Sequence, residues 1–483
     1  MRCPPVISFV VLLALNAPAS AADDPENSRF RAGAAVVDIT PQQGVSLDGS
    51  ISKNGPALGV NDPLHARALV LDDGTTQIAI VLVDACTIAR EVFDNAKAII
   101  ENETDLPAGR MLMAATHTHA APRLMHIGTS KLDDAYHQEV SRKIAKAVVQ
   151  ARKNLAPARL GYASFNKPEF LACRRYLCEP GTVSANPFGE TDERVKAVSG
   201  RSRHIIKPAG PVDPEFSILS IQHADVSPLA VLGNYSVHYC GGYSRGIVSA
   251  DYFGHFAAAL EEKLDAGPDH PPFVGIMSNG TSGDTGHMKN ITGKKYPPFA
   301  KMKAFAGILA EDTLQAMESM EYREDIAFEM RQSELELEIR KPDEERLEWA
   351  RALLKKPAQE YPHRWSGIYA RHVFRLAEYP ETISLPLQAL RIGDIAIVAI
   401  PCEVFAVTGL KIKENSPLEK TFTIGKANAH GGYLPPPQQH KLGGYTTWPG
   451  PSSYLEVGAE PKILAEILRL LDEVAGGGSN TEN

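Results

Sequence analysis

The stretch RMLMAATHTHAAP, residues 110–122, is an apolar run of strand length with two histidines directly behind it. Side chains at positions i and i+2 of an extended chain point to the same side, so His117 and His119 are predicted to face one space. The two imidazoles could share a metal ion, or one could bind it while the other moves protons. Taken alone, such a pair is more often simply hydrogen-bonded in a core or loop, so other residues must decide.

Four other apolar runs have the same design, because each has strand length and ends at or near a polar or ionisable residue. The runs are residues 77–85, 228–237, 271–279 and 393–401, and the polar residues are Asp84, His238, Asp284 and Glu403. Sites in open α/β sheets gather at the carboxyl ends of strands. The runs, with the amphipathic stretches between them, predict an α/β fold of mixed sheets flanked by helices, with a metal site at the carboxyl ends of strands.

Apolar periodicity and composition predict where the helices lie. Helices are expected in residues 90–102, 251–264, 297–317, 341–356, 403–415 and 461–474. The segment 321–382 is charged and rich in Arg and Glu, which predicts a peripheral insertion with a solvated face. After this insertion, residues 393–401 are expected to return to the sheet.

The N-terminus reads MRCPPVISFVVLLALNAPASAADDP, a short basic start, an apolar core and a pattern of small residues. This predicts a signal peptide over residues 1–21, cleaved near Ala21, and a secreted or periplasmic mature protein. Residues 22–475 are predicted to form a single catalytic domain, and residues 476–483 a flexible tail.

Charge and cysteine content narrow the function classes. The chain has 50 Lys and Arg against 58 Asp and Glu, a net charge of −8, which favours neither nucleic acid nor an anionic membrane surface as a partner. Five cysteines remain after the signal peptide, an odd and sparse set that is not a disulfide framework. Cys173 and Cys178 could pair in an oxidising compartment, and the sequence leaves this open.

Residue chemistry suggests a zinc site. His117, His238 and Glu403 would form a set of two histidines and one carboxylate drawn from three strand ends, and zinc accepts both donor types. The chain has no HExxH motif, which excludes a helix site of the thermolysin kind. Each residue alone is weak evidence for a metal site. Glu403, for example, would also be favourable in the first turn of the next helix.

Several motifs together resemble one family. ATHTHAAP, NYSVHYCGG, SNGTSGD, IPCEVF, ANAHGGYLPPPQQHKLGGYTTW and the early DITP…NDPLHARALVL resemble, in order and spacing, segments of the neutral (non-lysosomal) ceramidases. The resemblance extends from about Ala34 to Leu471. It implies a zinc-dependent amidohydrolase that cleaves ceramide into sphingosine and a fatty acid.

The resemblance also implies a ligand set for one zinc ion. His117, His238 and Glu403 match the family's two ligand histidines and its ligand glutamate, and Tyr433 matches a tyrosine ligand. Zinc lowers the pKa of a bound water to about 7, which yields a nucleophile at neutral pH. Contact with Tyr433 would be reversible, because a phenol becomes a good donor only beside a cation.

The remaining site residues follow from the same resemblance. Tyr445, twelve residues after Tyr433, and Arg174 would donate hydrogen bonds to the carbonyl oxygen, although the neighbouring Arg175 is an alternative to Arg174. His119 would carry a proton to the leaving nitrogen. Asp284 would orient a ligand histidine from behind, or would simply cap a turn or helix.

Two departures from the family pattern matter. Gly286 stands where the ceramidases have a serine proposed as a nucleophile, which argues for direct attack by zinc-activated water. The known ceramidases carry a further C-terminal β-sandwich domain, whereas this sequence ends soon after the tyrosine segment. Docking on a lipid surface, and therefore ceramide itself as substrate, stay open.

Two rival functions follow. The same scaffold could cleave another N-acyl compound, such as an N-acyl amino sugar or lipoamino acid, or it could be a non-catalytic exported binding protein that keeps the metal. The expected partner is a small-molecule or lipid N-acyl amide, and a lipid would bring transient contact with a membrane surface. The sequence does not give the oligomeric state.

Overall fold

The computed structural model describes residues 30–47, 55–125, 133–197, 203–287 and 296–476. The predicted signal peptide and residues 477–483 of the predicted tail lie outside these ranges. The α-helices are α1 (Arg90–Thr104), α2 (Asp134–Lys153), α3 (Asp251–Glu261), α4 (Ala300–Glu318), α5 (Glu344–Leu354), α6 (Ser366–Ala377), α7 (Ala406–Asn415), α8 (Pro437–Leu442) and α9 (Ala459–Val474).

Strands supply most of the framework. They are β1 (Arg31–Asp38), β2 (Gly59–Val60), β3 (His65–Asp72), β4 (Gln77–Val83), β5 (Met111–Ala115), β6 (Ala156–Asn166), β7 (Leu171–Cys173), β8 (Arg175–Cys178), β9 (Val195–Ala197), β10 (Ile205–Pro208), β11 (Glu215–His223), β12 (Pro228–Tyr235), β13 (Ile247–Val248), β14 (Val274–Asn279), β15 (Thr285–His287), β16 (Tyr322–Arg323), β17 (Phe328–Glu338), β18 (Thr382–Ile392), β19 (Ile395–Ile400), β20 (Glu403–Val404), β21 (Lys420–Gly425) and β22 (Tyr433–Leu434).

Two sheets dominate the described residues. The larger has nine strands in the order β14-β12-β11-β6-β1-β3-β4-β5, with β16 paired to β6. Its β4–β5 and β12–β14 pairs are parallel, and the other pairs along its path are antiparallel. The smaller sheet has the order β17-β18-β19-β21, with a parallel β19–β21 pair. Both sheets are therefore mixed, as the sequence predicts.

The sheets pack face to face, with helices on their outer faces. Alternate residues of β3 show the arrangement, because Leu69 lies in the core shared with the second sheet whereas Val70 packs with residues of α1 and α2. Helices α3 and α4 contribute to a core that includes β12 and β14, and α9 covers β17 and β18. The result is four layers, helix, sheet, sheet and helix, which confirms the predicted class.

The expected strands and helices are all found, but two placements are wrong. Residues 393–401 do not return to the sheet that holds 77–85 and 228–237; their strand β19 lies in the second sheet. The segment 321–382 is also more than a peripheral insertion. Its strand β17 pairs along eleven residues with β18, and its apolar residues are buried on both faces: Met330 lies in the core between the two sheets, and Leu337 packs with residues of α9.

Candidate metal centre

Three parallel strand pairs bring the candidate ligands together. His117 follows β5, His238 follows β12, and Glu403 follows β19, so all three stand at carboxyl ends of strands. The first two strands belong to the large sheet and the third to the small one. The candidate site therefore lies where the carboxyl ends of these strands, from the two packed sheets, meet.

His117 is presented by a loop and not by a strand. Strand β5 ends at Ala115, and His117 has a φ of 76°, in the left-handed region that non-glycine residues rarely adopt. Its backbone N–H donates to the carbonyl of Ala85 at 2.8 Å. The expectation that His117 and His119 share one strand face is therefore wrong, yet their Nε2 atoms lie 3.2 Å apart because the loop turns both rings inward.

Backbone carbonyls orient both histidine rings. His117 Nδ1 lies 2.6 Å from the carbonyl oxygen of Cys86, and His238 Nδ1 lies 3.2 Å from that of Ser282. A carbonyl can only accept, so Nδ1 of each neutral ring carries the proton. The Nε2 atoms are then left with lone pairs directed into the site, which is the tautomer that a metal ligand requires.

The three candidate donors converge on one point. His117 Nε2 and His238 Nε2 are 2.9 Å apart, and they lie 3.6 and 3.7 Å from Glu403 Oε2. All three residues are buried, with 3%, 1% and 7% of their surface exposed. Among the described residues, Glu403 Oε2 has no hydrogen-bond partner, although a buried carboxylate oxygen is costly to leave unpaired. Two lone pairs and an orphaned carboxylate oxygen fit a divalent cation.

A tyrosine completes the carboxylate side. Strands β20 and β22 pair in parallel and place Tyr433 directly opposite Glu403. Arg174 Nη2 donates to Tyr433 Oη at 3.0 Å and lies 3.9 Å from Glu403 Oε2. Burial raises the pKa of Tyr433 well above its usual value, against the opposing effect of Arg174. Its hydroxyl is therefore protonated at neutral pH unless a cation binds beside it.

Lys426 is a site residue that the sequence analysis missed. It follows β21, is only 3% exposed, and its Nζ lies 3.4 Å from both Glu403 Oε1 and His430 Nδ1. Glu403 thus directs one oxygen to an ammonium and the other to the imidazoles. A lysine just after an apolar strand, in a chain with several such strand ends, was the available signal.

The protonation of the cluster depends on its charges. Burial opposes the charged form of His117, but Cys86 and Glu403 outweigh it and raise the pKa of the imidazole to about 9. Burial likewise opposes ionisation of Glu403, but Lys426 and His117 hold its pKa well below the usual value. Burial lowers the pKa of His238 far below that of a free histidine. The metal-free cluster therefore holds one proton where a cation would bind.

His119 lies on the open side of the centre. Unlike His117 it is only half buried, and its ring stacks on Tyr239 with centroids 3.8 Å apart. Its backbone N–H donates to Tyr243 Oη at 3.3 Å, and Tyr243 donates in turn to the buried carboxylate of Asp251. Two tyrosines thus fix this imidazole beside the ligands.

The structure distinguishes the two neighbouring arginines. The guanidinium of Arg174 lies over the rings of Tyr433 and Tyr445, 5.6 and 5.5 Å from their centroids. Within the part of the chain that the structure describes, its buried Nε has no hydrogen-bond partner. Arg175 points the other way, is 1% exposed, and donates to Gln439 and to the carbonyl of Gly443. Arg174 therefore faces the site, and Arg175 holds the segment that carries Tyr445.

Asp284 does not reach a ligand histidine. Its Oδ1 accepts from the backbone N–H of Ala406, the first residue of α7, so it follows the helix-capping alternative. The backbone carbonyls of Cys86 and Ser282 take the orienting role that was expected of it. Burial raises the pKa of Asp284 to about 6.

Gly286 and the cysteine pair can also be placed. Gly286 lies in β15 opposite Ala172 and offers no hydroxyl to the site. Cys173 and Cys178 are both free and buried, so they do not form a disulfide. Their thiols donate instead to the backbone carbonyls of Arg175 and Tyr176.

These features define a four-layer α/β protein with a buried histidine and carboxylate centre between its sheets. Residues 30–298 match the family model described as neutral/alkaline non-lysosomal ceramidase, N-terminal. The match covers more than half of the sequence, and the chain belongs to this family. Neutral ceramidase B of Dictyostelium discoideum is 24% identical over 273 residues, which are 53% of this chain and 35% of that protein. The alignment therefore spans about a third of the relative's length.

Solved structures share the fold. The crystal structure of neutral ceramidase from Pseudomonas aeruginosa superposes with a TM-score of 0.67 at 15% identity, covering 94% of this chain and 76% of that one. A structure described as ceramidase complexed with C2 gives a TM-score of 0.67 at 16% identity, covering 93% and 75%. At these identities the similarity concerns the fold.

Proposed function

We propose that this protein is an exported, zinc-dependent amidase that hydrolyses the N-acyl bond of ceramide to sphingosine and a fatty acid. One observation carries the proposal above all. His117, His238 and Glu403 bring two imidazole lone pairs and an unpaired carboxylate oxygen within 3.7 Å of one another in a buried centre. Family membership supports the amide substrate, and the names of the similar proteins support ceramide.

The chain's own residues would hold a single zinc ion. His117, His238 and Glu403 supply the donors, and the hydroxyl of Tyr433 stands beside Glu403 as a fourth. When bound, zinc would polarise the amide carbonyl and activate a water molecule at neutral pH. Lys426 occupies the second oxygen of Glu403, so this carboxylate offers one oxygen to the cation.

Arg174 and Tyr445 are placed to stabilise negative charge on the carbonyl oxygen. Nε of Arg174 is a buried donor with no partner among the described residues, and Nη2 of the same guanidinium donates to the carbonyl of Gly283 at 2.7 Å. The ring of Tyr445 stands perpendicular to that of Tyr433 at 5.7 Å. Fixed donors of this kind stabilise a developing oxyanion without reorganisation.

His119 is placed to move the proton. Its ring adjoins His117 and is more exposed than the ligands, so it can reach a substrate that enters from the open side. Burial lowers its pKa, which leaves the ring neutral and able to accept a proton near neutrality. Protonation of the leaving nitrogen by His119 then releases the amine. No serine acyl-enzyme is needed in this scheme, consistent with Gly286.

Export rests on the pattern of residues 1–21, which the structure does not describe. Among the described residues, no helix has the length and apolar character to cross a membrane. Access to ceramide would then need only transient contact between the site's open side and a lipid surface.

The test is fatty-acid release from ceramide by the purified protein, with and without a zinc chelator, and with His117→Ala as control. We expect release that the chelator stops, that added zinc restores, and that the variant lacks. Tyr136→Phe is a matched control, because this tyrosine is buried and its hydroxyl donates to the backbone carbonyl of Ile39 at 2.7 Å and not to a candidate ligand.

Each negative result has a definite meaning. Absence of ceramide turnover by zinc-loaded, folded protein would reject ceramide, and shorter N-acyl amides such as N-acyl amino sugars or lipoamino acids would then be assayed. Zinc binding with no turnover of any amide would favour the non-catalytic binding protein. Turnover that persists in His117→Ala would reject the proposed site.

A further inference from the structure

A second group of metal-binding donors lies on the other side of His117. Cys86 follows β4, and its loop runs beside that of His117, whose backbone N–H donates to Ala85. This pairing places Cys86 Sγ 3.6 Å from His117 Nδ1. The thiol is thereby held at the edge of the ring that faces away from His238 and Glu403.

His119 closes this second group. Cys86 Sγ and one ring nitrogen from each of His117 and His119 all lie within 4.8 Å of one another. Among the described residues, Cys86 is the sole cysteine found in such a group, whereas Cys173, Cys178, Cys240 and Cys402 are buried elsewhere. His117 Nδ1 is already bonded to a carbonyl, so a cation in this group would bind the thiol of Cys86 and a ring nitrogen of His119.

We propose that Cys86 and His119 form an inhibitory site for a soft, thiophilic cation such as Cd²⁺, next to the proposed zinc centre but with donors other than the proposed zinc ligands. Thiolate and imidazole together select soft and borderline metals, whereas a carboxylate favours harder ones. On binding, the thiol releases its proton to solvent and the cation bonds to the sulfur and to a ring nitrogen of His119. Water completes its coordination.

Inhibition follows from the position of His119. A cation on its ring nitrogen occupies the lone pair that would otherwise accept and deliver the proton. This part of the inference rests on the proposed function, whereas the binding itself does not. The half-buried face of His119 is the route of entry, since Cys86 alone is 6% exposed.

The experiment titrates Cd²⁺ into the zinc-loaded, full-length protein and records ultraviolet thiolate-to-cadmium absorption together with ceramide hydrolysis. We expect an absorption band that saturates at one Cd²⁺ per chain, with parallel loss of activity. Cys86→Ser should lack the band and resist inhibition, and Cys86→Ala serves as a second variant if the first folds poorly. His119→Ala should bind Cd²⁺ at least about tenfold more weakly.

Cys402→Ser is the matched control. Cys402 directly precedes Glu403, but its side chain packs in the core on the outer side of the second sheet, so its loss should leave the band intact. A band that survives in Cys86→Ser, disappears in Cys402→Ser, or is absent from the native protein would overturn the proposal. Should ceramide hydrolysis fail altogether, the absorption still tests the site; should hydrolysis succeed without the band, this inference alone falls.

Discussion

The two halves of the candidate metal centre are held in place by different interactions. On the large sheet, His117 and His238 are oriented by the backbone carbonyls of Cys86 and Ser282. On the small sheet, Glu403 is surrounded by charged side chains, with the ammonium of Lys426 3.4 Å from one oxygen and Arg174 3.9 Å from the other.

This difference determines which substitutions each half tolerates. A carbonyl that orients an imidazole is present whatever the side chain, so the histidine half should withstand changes around it. The carboxylate half depends on two specific cations, and removal of one leaves a buried charge uncompensated. Metal binding by the histidine half should therefore be lost only when a ligand is replaced. In the carboxylate half, replacement of a neighbouring cation should weaken metal binding as well.

The largest effect is expected from a ligand itself. His117→Ala removes one of the converging donors, and loss of a bound metal's contribution, several kcal/mol, should lower kcat/KM by about 10³-fold or more. Zinc content measured on the same sample should fall in parallel. Cys86→Ala, which keeps the orienting carbonyl, should retain zinc; if it loses zinc as His117→Ala does, the backbone does not hold this half.

Lys426→Met should destabilise the carboxylate half although it replaces no candidate ligand. It leaves Glu403 buried without its cation, which should cost the metal-free protein about 3–5 kcal/mol of unfolding free energy. Bound zinc should recover much of this loss, because the metal replaces the missing positive charge. Urea denaturation with and without zinc measures both terms.

Lys97→Met is the matched control for that experiment. Lys97 is also buried, but its ammonium donates to the neutral Asn428 at 2.9 Å, and burial lowers its pKa to about 8. Its removal leaves no buried carboxylate without a cation, so the loss of unfolding free energy should be smaller and independent of zinc. Equal, zinc-independent losses in the two variants would show that Lys426 does not compensate Glu403.

The adjacent arginines should separate activity from stability. Arg174→Lys removes a planar donor at the site, and kcat/KM should fall by about 10²- to 10³-fold with little change in unfolding free energy. Arg175→Lys should instead destabilise the protein by about 3 kcal/mol, since it breaks several buried hydrogen bonds. Kinetics and urea denaturation of both variants test this, and a reversed pattern would exchange their roles.

The smallest effect concerns Asp284. Burial raises its pKa from 3.8 to about 6, so the native state binds this proton more tightly than the unfolded chain. Stability from this group is fully present below pH 3.8 and is lost as the pH rises through about 6, a change of about 2–3 kcal/mol. Asp284→Asn should abolish this fall in unfolding free energies measured from pH 4 to 7. A large loss of kcat in that variant would restore its expected catalytic role.

Much of the fold could be predicted because its strands are unambiguous. The run IAIVAI is fully buried, short and rich in β-branched residues, and Gly393 and Pro401 lie beside it, so its type and bounds could be predicted. The division into two sheets could not be predicted, because a buried strand has the same hydrophobic pattern whichever sheet it belongs to. The charged strand β17 was missed because Glu and Arg residues dominate its sequence and because its buried apolar residues change faces along the strand, from Phe328 and Met330 to Leu337.

The site shows a similar division. Residues at strand ends could be named from sequence, and the structure brings His117, His238, Glu403 and Tyr433 together. The side-chain and backbone contacts of these residues could not be predicted. Lys426 lies 3.4 Å from Glu403 and Cys86 lies 3.6 Å from His117, and both contacts join segments far apart in the chain. Asp284 was misassigned for the same reason, because its contact with Ala406 is also between distant segments.

The most direct test of the central claim is X-ray absorption at the zinc edge of the purified full-length protein. We expect one zinc per chain, with a shell of nitrogen and oxygen only, at about 2.0–2.2 Å. Two of these scatterers should be imidazoles, and one of them should be lost in His238→Ala. A sulfur scatterer at about 2.3 Å, or a folded protein that takes up no zinc, would contradict it.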